Sequence, residues 1–344
     1  MGRVNRRIIT LIAALVPVLV LGVVGSVVTV PFVALGPGPT FNTLGEVEGK
    51  QVVAVAGAPV DPTSGHLNMT TVSVRDGLNI FEALGLWVDG RYGLVPRAEI
   101  YPPGVPREQV DQSNQADFKE SEDNAELAAL NFLKYPTKVQ VRVVADNSPA
   151  KDVLHKGDQL VSVNGKAVAT SQDVVDAVQG VPPGTTVPMV IRRDGAEQTV
   201  EVKLAARPDD SSKAYLGITP QEIADGPVQV DFNLADIGGP SAGLMFSLAL
   251  VDKLSPGELN GGRFVAGTGT IDPNGKVGPI GGIQYKMIAA RDAGAETFLV
   301  PADNCNEARQ RTPDGLKLVK VDTLTSAVQS LDDINAGRPA PSCG

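Results

Sequence analysis

From Ile8 to Val30 the chain carries no charged residue, and at about 1.5 Å of helix per residue the run is long enough to cross a hydrocarbon layer of about 30 Å. Arg3, Arg6 and Arg7 precede it, so the positive-inside rule puts the short N-terminus in the cytoplasm. Pro17, Gly22 and Gly25 are tolerable inside such a span. A cleaved signal peptide is the alternative. The run exceeds the roughly 7–15 residues of a signal core and no A-x-A site follows, which favours the anchor. Under either reading the chain from about Phe32 onward is expected outside the cytoplasm.

Beyond this segment the hydrophobic period changes repeatedly. Leu35-Gly-Pro-Gly-Pro-Thr40 predicts a stiff, turn-rich exit from the bilayer. Gln51–Ala56 is a valine-rich strand pattern. His66–Val74 alternates apolar and polar positions at Leu67, Met69, Val72 and Val74, with one slip that suggests a bulge. Gly90–Asp111 holds Pro96, Pro102, Pro103 and Pro106 and reads as a loop. Ala116–Leu133 reads as a helix, with Leu127, Leu130 and Leu133 apolar and acids in its first half, where they suit the dipole.

The next stretch is β-rich. Val139, Val141 and Val143 alternate with polar residues, Gln159–Val163 is a second strand closed by Asn164-Gly165, and Ser171 caps a short helix whose apolar face is Val174, Val175 and Val178. A hairpin turning at Asp194-Gly195 joins Val187–Arg193 to Gln198–Leu204. Val228–Phe232 alternates as a strand. Ala242–Leu254 is apolar nearly all round and predicts a buried helix, and Ile283–Ala293 predicts another, ended by Gly294.

Composition narrows the picture. Of 344 residues 42% are hydrophobic and only 4% aromatic, so the cores should be aliphatic. Thirty basic against 39 acidic residues, a net charge of −9, leave no basic patch of the kind nucleic acid requires. His66, His155, Cys305 and Cys343 are too few and too scattered for a zinc cage, and neither metal nor cofactor is expected. His155 reads as a surface residue. In an oxidising compartment Cys305 and Cys343 would form one disulfide pinning the tail; two unpaired thiols are the alternative.

The candidate chemistry lies in Gly238-Gly-Pro-Ser-Ala-Gly243. Glycines allow a tight turn and Pro240 fixes φ just before Ser241, which is delivered to the start of the buried helix. There a serine is either a plain helix cap or a nucleophile facing unpaired N–H groups. Lys286, in the first turn of the later helix, stands where the dipole is unfavourable to a cation, and burial would depress its pKa from about 10.4 toward neutrality. A neutral amine is a competent base for a serine hydroxyl, which makes a Ser–Lys dyad more economical than a triad lacking a nearby histidine. Lys253 and Lys276 read as solvated charges. A phosphate cradle at Gly238–Gly243 would need a partner lysine or metal carboxylates, which are missing nearby.

Gly239-Pro-Ser-Ala-Gly243, Thr268-Gly269, Val277-x-x-Ile-Gly-Gly-Ile-x-x-Lys286-x-x-Ala-Ala290 and Val300-Pro301 resemble the proteolytic domain of Lon-type Ser–Lys proteases over Val228–Leu331. The resemblance implies an α+β, ribosomal protein S5 domain 2-like fold, with Ser241 the nucleophile, Lys286 the base, Thr268 positioning that lysine, and Gly239, Pro240 and Ala242 supporting the serine. Where the family reads Gly-Gly-x-Lys-Glu-Lys, this chain reads Gly282-Ile-Gln-Tyr-Lys286 and keeps the second lysine. Gly238 replaces the acidic residue often found before the motif. No Gly-x-x-x-x-Gly-Lys-[Ser/Thr] occurs, so an ATP-independent enzyme is expected. His66-Leu-Asn-Met-Thr-Thr71 and Glu120-Ser-Glu-Asp-Asn-Ala125 more weakly resemble the opening of the same domain. That would make one domain of about Val52–Lys134 and Ser212–Leu331 with the β-rich module inserted; a separate N-terminal domain is the alternative.

The module itself, through Ser148-Pro-Ala150, Leu154-x-x-Gly-Asp158, Val163-Asn-Gly165 and Pro183-Gly184, resembles bacterial PDZ domains, which take an extended chain as an added strand. The resemblance puts a peptide groove between Lys138–Val143 and Ser171–Val178, lined by Val139, Val141, Val143, Val174 and Val178. The usual Gly-Leu-Gly-Phe-like loop is missing there, with Lys134-Tyr-Pro-Thr137 in its place. The expected organisation is therefore residues 1–7 cytoplasmic, 8–30 transmembrane, 31–134 linker and N-terminal region, 135–207 PDZ-like, 212–335 proteolytic and 336–344 tail. Partners would be protein or peptide substrates, the membrane and, by analogy, further copies in a ring. A non-catalytic membrane-tethered scaffold is the rival reading.

Overall fold

In the computed structural model, which describes residues 6–234 and 237–344, the apolar N-terminal run forms one helix, α1 (Arg6–Val27). It ends three residues before the expected limit at Val30, and the basic segment around Arg3 lies outside the described residues. The apolar window Ile8–Val27 has a mean hydropathy of 2.8 and is almost wholly exposed, which makes the helix long and apolar enough to span a membrane.

The chain then builds β1 (Phe32–Asn42), β2 (Val53–Ala56), β3 (His66–Arg75), α2 (Ile80–Asp89), β4 (Gly93–Pro96) and α3 (Arg107–Phe132). Three sequence expectations change here. Leu35–Thr40 is no free linker but the middle of β1, paired with both β3 and β4. The bulge expected in His66–Val74 belongs instead to β1, where the register with β3 shifts between Pro37 and Thr40. The proline-rich stretch Gly90–Asp111 contains β4 and the first turn of α3. That helix starts at Arg107 rather than Ala116, its polar first half having no apolar period to announce it.

Next comes the β-rich unit: β5 (Thr137–Val144), β6 (Gln159–Val163), α4 (Ser171–Gln179), β7 (Thr186–Arg193), β8 (Ala196–Lys203) and β9 (Ile218–Ala224). Its strands pair antiparallel in the order β8-β7-β6-β5-β9. The sheet thus runs past residue 207, because β9 completes it from the far side of a short excursion. The core is aliphatic: Val139, Leu160, Val163, Val187, Met189 and Ile191 are at most 1% exposed.

The rest is β10 (Gln229–Phe232), α5 (Gly243–Leu254), β11 (Phe264–Gly267), α6 (Ile283–Asp292), β12 (Thr297–Pro301), β13 (Lys317–Val321) and α7 (Leu324–Asn335). The main sheet is ordered β13-β12-β11-β3-β1-β4. β11 pairs in parallel with β12 on one edge and with β3 on the other, and β10 pairs with β2. Strands from before and after the β-rich unit therefore share one sheet. Under it lies α5, buried on every side as its sequence demands, with Leu244, Met245, Phe246, Leu248, Ala249 and Leu250 fully covered. Burying each such large side chain is worth about 1.5–3 kcal/mol. α3 packs on α5, with Phe118 edge-on to Phe246 at 5.8 Å. Cys305 and Cys343 are disulfide-bonded, tying the tail to the segment after β12.

Candidate active site

The turn Gly238–Ala242 leaves β10 and enters α5 under strong local constraint. Gly239 takes φ +87, a value glycine adopts freely, and its N–H donates to the Asn114 carbonyl on α3 (2.8 Å). Ser121, two turns further along α3, donates its hydroxyl to the Pro240 carbonyl (3.0 Å). α3 thus braces the loop at two points. The helix begins at Gly243, one residue later than expected, with Ala242 as N-cap and no side-chain cap bond. Ser241 is not the cap of α5, and its hydroxyl is engaged elsewhere.

That partner is Lys286. Its Nζ lies 2.7 Å from Ser241 Oγ and 3.0 Å from Thr268 Oγ1, bringing together residues 45 positions apart in the chain. α6 delivers the lysine because Gly282, its N-cap, takes φ +70, and a Cβ there would stand 2.9 Å from Val72 Cγ2 on β3. Thr268, fully buried just after β11, donates its hydroxyl to the Ser241 carbonyl (3.0 Å), which also accepts from the Gly269 N–H (3.0 Å). With its one proton committed, Thr268 Oγ1 can only accept from Lys286. A neutral Lys286 held this way keeps a lone pair for the Ser241 hydroxyl.

Electrostatics favour the neutral amine. Lys286 is 3% exposed, and burial pushes its pKa down to about 7. Ser241 itself is half-buried at the floor of a cleft of about 660 Å³, whose walls include Met69, Val72, Phe118, Ile237 and Ile280. Asn304 holds one wall, donating Nδ2–H to the Ile280 carbonyl and accepting the Ile280 N–H at Oδ1, both at 2.9 Å. Neither histidine joins the site: His66 stacks on Phe264, and His155 is exposed in the turn before β6. Of the other lysines singled out in the sequence, Lys276 is exposed. Lys253, expected in solvent, is instead buried at the far end of α5, donating to Gln51 Oε1 (3.2 Å).

Sequence reasoning missed Asn114 and Asn304, which act through a main-chain carbonyl and a carboxamide with no motif of their own. Ser121 left a faint signal in the Glu120-Ser121 pair.

The expected peptide groove is not where the sequence put it. β5 is paired on both edges, by β6 and β9, so it offers no open edge. Val139, Val141, Val174 and Val178 are core residues at 0–7% exposure, and only Val143 reaches solvent. Beyond β5 the sheet ends on β9, against which α4 packs, the Ser171 N–H donating to Glu222 Oε1 (2.9 Å). The turn in front of it is Tyr215-Leu-Gly-Ile218, with Gly217 at φ +82. This Leu-Gly turn leads directly into β9 and follows the rest of the module in the chain.

Comparison with known proteins finds two domain families along the chain. Residues 231–334 match the family described as the Lon protease (S16) C-terminal proteolytic domain, and residues 111–204 match the PDZ domain family. The chain therefore joins a PDZ domain to a Lon-type proteolytic domain behind one apolar N-terminal helix. Among curated relatives, Lon protease of Methylocella silvestris is 35% identical over 140 residues, covering 38% of this chain and 16% of that protein. Lon protease of Roseiflexus castenholzii is 30% identical over 131 residues (36% and 16%), and that of Campylobacter jejuni 37% over 95 residues (26% and 12%). The chain thus matches about a sixth or less of the length of these relatives. Among solved structures, the PDZ domain of an SdrC-like protein from Listeria monocytogenes is 30% identical, covering 24% of this chain and 85% of that one at a TM-score of 0.22.

Proposed function

We propose that the chain is a membrane-anchored, ATP-independent serine endopeptidase that cuts extended protein segments outside the cytoplasm with a Ser241–Lys286 dyad. The observation that carries this reading is the 2.7 Å approach of a buried, neutral-leaning amine to a serine hydroxyl that caps nothing. Ser241 Oγ attacks the scissile carbonyl as its proton passes to Lys286 Nζ. The tetrahedral oxyanion is held by main-chain N–H groups at Ser241 and its neighbours at the positive end of α5. Collapse expels the amine, which takes the proton from Lys286 and leaves an acyl-Ser241. Water then attacks through the same base to release the acid.

Thr268 is the positioning residue, and α3 with Gly239 and Pro240 keeps the nucleophile turn in place. On this reading the proteolytic domain is made of the segments on both sides of the β-rich unit, since β3 and α3 supply walls of the cleft. The PDZ domain presents extended segments along β9 and α4, and assembly with further copies remains an analogy with Lon proteases.

Full-length protein in detergent, incubated without ATP with an unfolded protein, should cut it, and Ser241→Ala and Lys286→Ala should not. Equal cutting by all three removes the dyad. Peptide binding without any cutting would favour the scaffold.

A further inference from the structure

We propose that α2 is a second membrane contact, an apolar helix lying in the lipid interface where α1 leaves the bilayer. The inference rests on reading α1 as bilayer-spanning.

α2 has two apolar faces. Ala83 and Leu86 point inward onto Ala34 and Leu78. On the outside, Ile80, Phe81, Leu84, Trp87 and Val88 are 41–70% exposed. At 3.6 residues per turn these five fall within an arc of about 120°, with Glu82 and Asp89 off it. The helix is firmly built, with an Asn79–Glu82 capping box at one end and Gly90 in the left-handed region at the other. A stable helix with an uncovered stripe this apolar calls for a partner.

Its position says which partner. Gly25 is buried in the last turn of α1, and a Cβ there would come within 2.6 Å of the Phe81 ring. Thr29 bridges to Asn79, and the Val30 N–H donates to the Leu78 carbonyl (2.8 Å). Phe81 thus sits at the level of the final turn of the Ile8–Val27 span, where hydrocarbon gives way to headgroups. The exposed stripe therefore begins beside the apolar surface of α1 at its outer end. Trp87, the sole tryptophan of the chain, lies on it, and the amphipathic indole suits such an interface. A partner protein on this stripe would have to occupy the height the bilayer already fills.

The test uses Trp87 fluorescence in the full chain, reconstituted in phosphatidylcholine vesicles with or without bromine on the acyl chains near the headgroup end. Brominated lipid should cut Trp87 emission at least twofold, and aqueous iodide should have little effect. In Phe81→Ser/Leu84→Ser the bromine effect should fall at least twofold with cleavage of a soluble peptide unchanged. Emission quenched by iodide and indifferent to bromine overturns the proposal. So does shielding from both quenchers, which would mean a protein, such as a second copy, covers the face. An alkaline wash separates the two readings: protein retained in the vesicles with Trp87 open to iodide leaves α1 as an anchor and removes only α2, whereas release into the wash removes both.

Discussion

Replacing Lys286 by methionine should abolish cleavage and, at neutral pH, stabilise the fold. The amine is almost wholly buried, and desolvation pushes its pKa down to about 7. In the unfolded chain it titrates near 10.4. A base whose pKa is lower in the folded state makes protonation favour unfolding. The penalty is fully present below about pH 7, shrinks as pH rises from there to about 10.4, and is absent above. At about 1.4 kcal/mol per unit the gap amounts to about 5 kcal/mol, and to about 4 at pH 7, where the folded amine is half titrated. Methionine keeps the length without the charge but gives up the contacts to Ser241 and Thr268, each worth about 1 kcal/mol. The net gain is about 2 kcal/mol at pH 7, larger at pH 6 and gone by pH 9 to 10. Urea unfolding of the detergent-solubilised full chain, followed by circular dichroism across this pH range, measures it. A variant no more stable than wild type at pH 7, or a difference that does not shrink as pH rises, would refute the reasoning.

Other outcomes follow from the same geometry. Because the neutral amine is the working form, kcat/KM should rise with unit slope and level off above about pH 7, and Lys286→Arg should be inactive throughout; a limb near pH 10 would contradict the buried base. Thr268→Val should lower kcat about 10–100-fold with KM little changed, and Thr268→Ser, which keeps the hydroxyl, should recover most of it. Ser121→Ala frees the Pro240 carbonyl and should cost about 1 kcal/mol of stability together with a several-fold drop in kcat, read by urea unfolding and peptide hydrolysis. Cys305→Ser/Cys343→Ser opens a loop closed over 38 residues and should destabilise the proteolytic part by about 2–4 kcal/mol, seen as a lower urea midpoint.

The candidate site residues were more legible in the sequence than the architecture that brings them together. Ser241, Thr268 and Lys286 stand beside glycines that the backbone needs, such as Gly282 with its positive φ and its close approach to Val72, and such requirements leave a readable pattern. The apolar girth of α5 was equally plain. Strand order was not. Nothing local announces that β9, beyond a short excursion, becomes an edge of the PDZ sheet and pairs the second side of β5, because pairing partners are chosen by tertiary packing. β1 was hidden by Gly36, Pro37, Gly38 and Pro39, which signal a turn yet sit at a bulge where the ladder is already interrupted. The brace from α3 was hidden because its contact at Asn114 is a main-chain carbonyl, which any residue type would supply.

The central claim, that Ser241 is a nucleophile activated by Lys286, is tested most directly by covalent trapping. Full-length protein treated with a peptidyl β-lactone should gain one acyl group, located by mass spectrometry on Ser241, and Lys286→Met should lose that labelling at least a hundredfold while remaining folded. Acylation at another residue, or labelling of Ser241 that is unchanged without the lysine, would contradict the account.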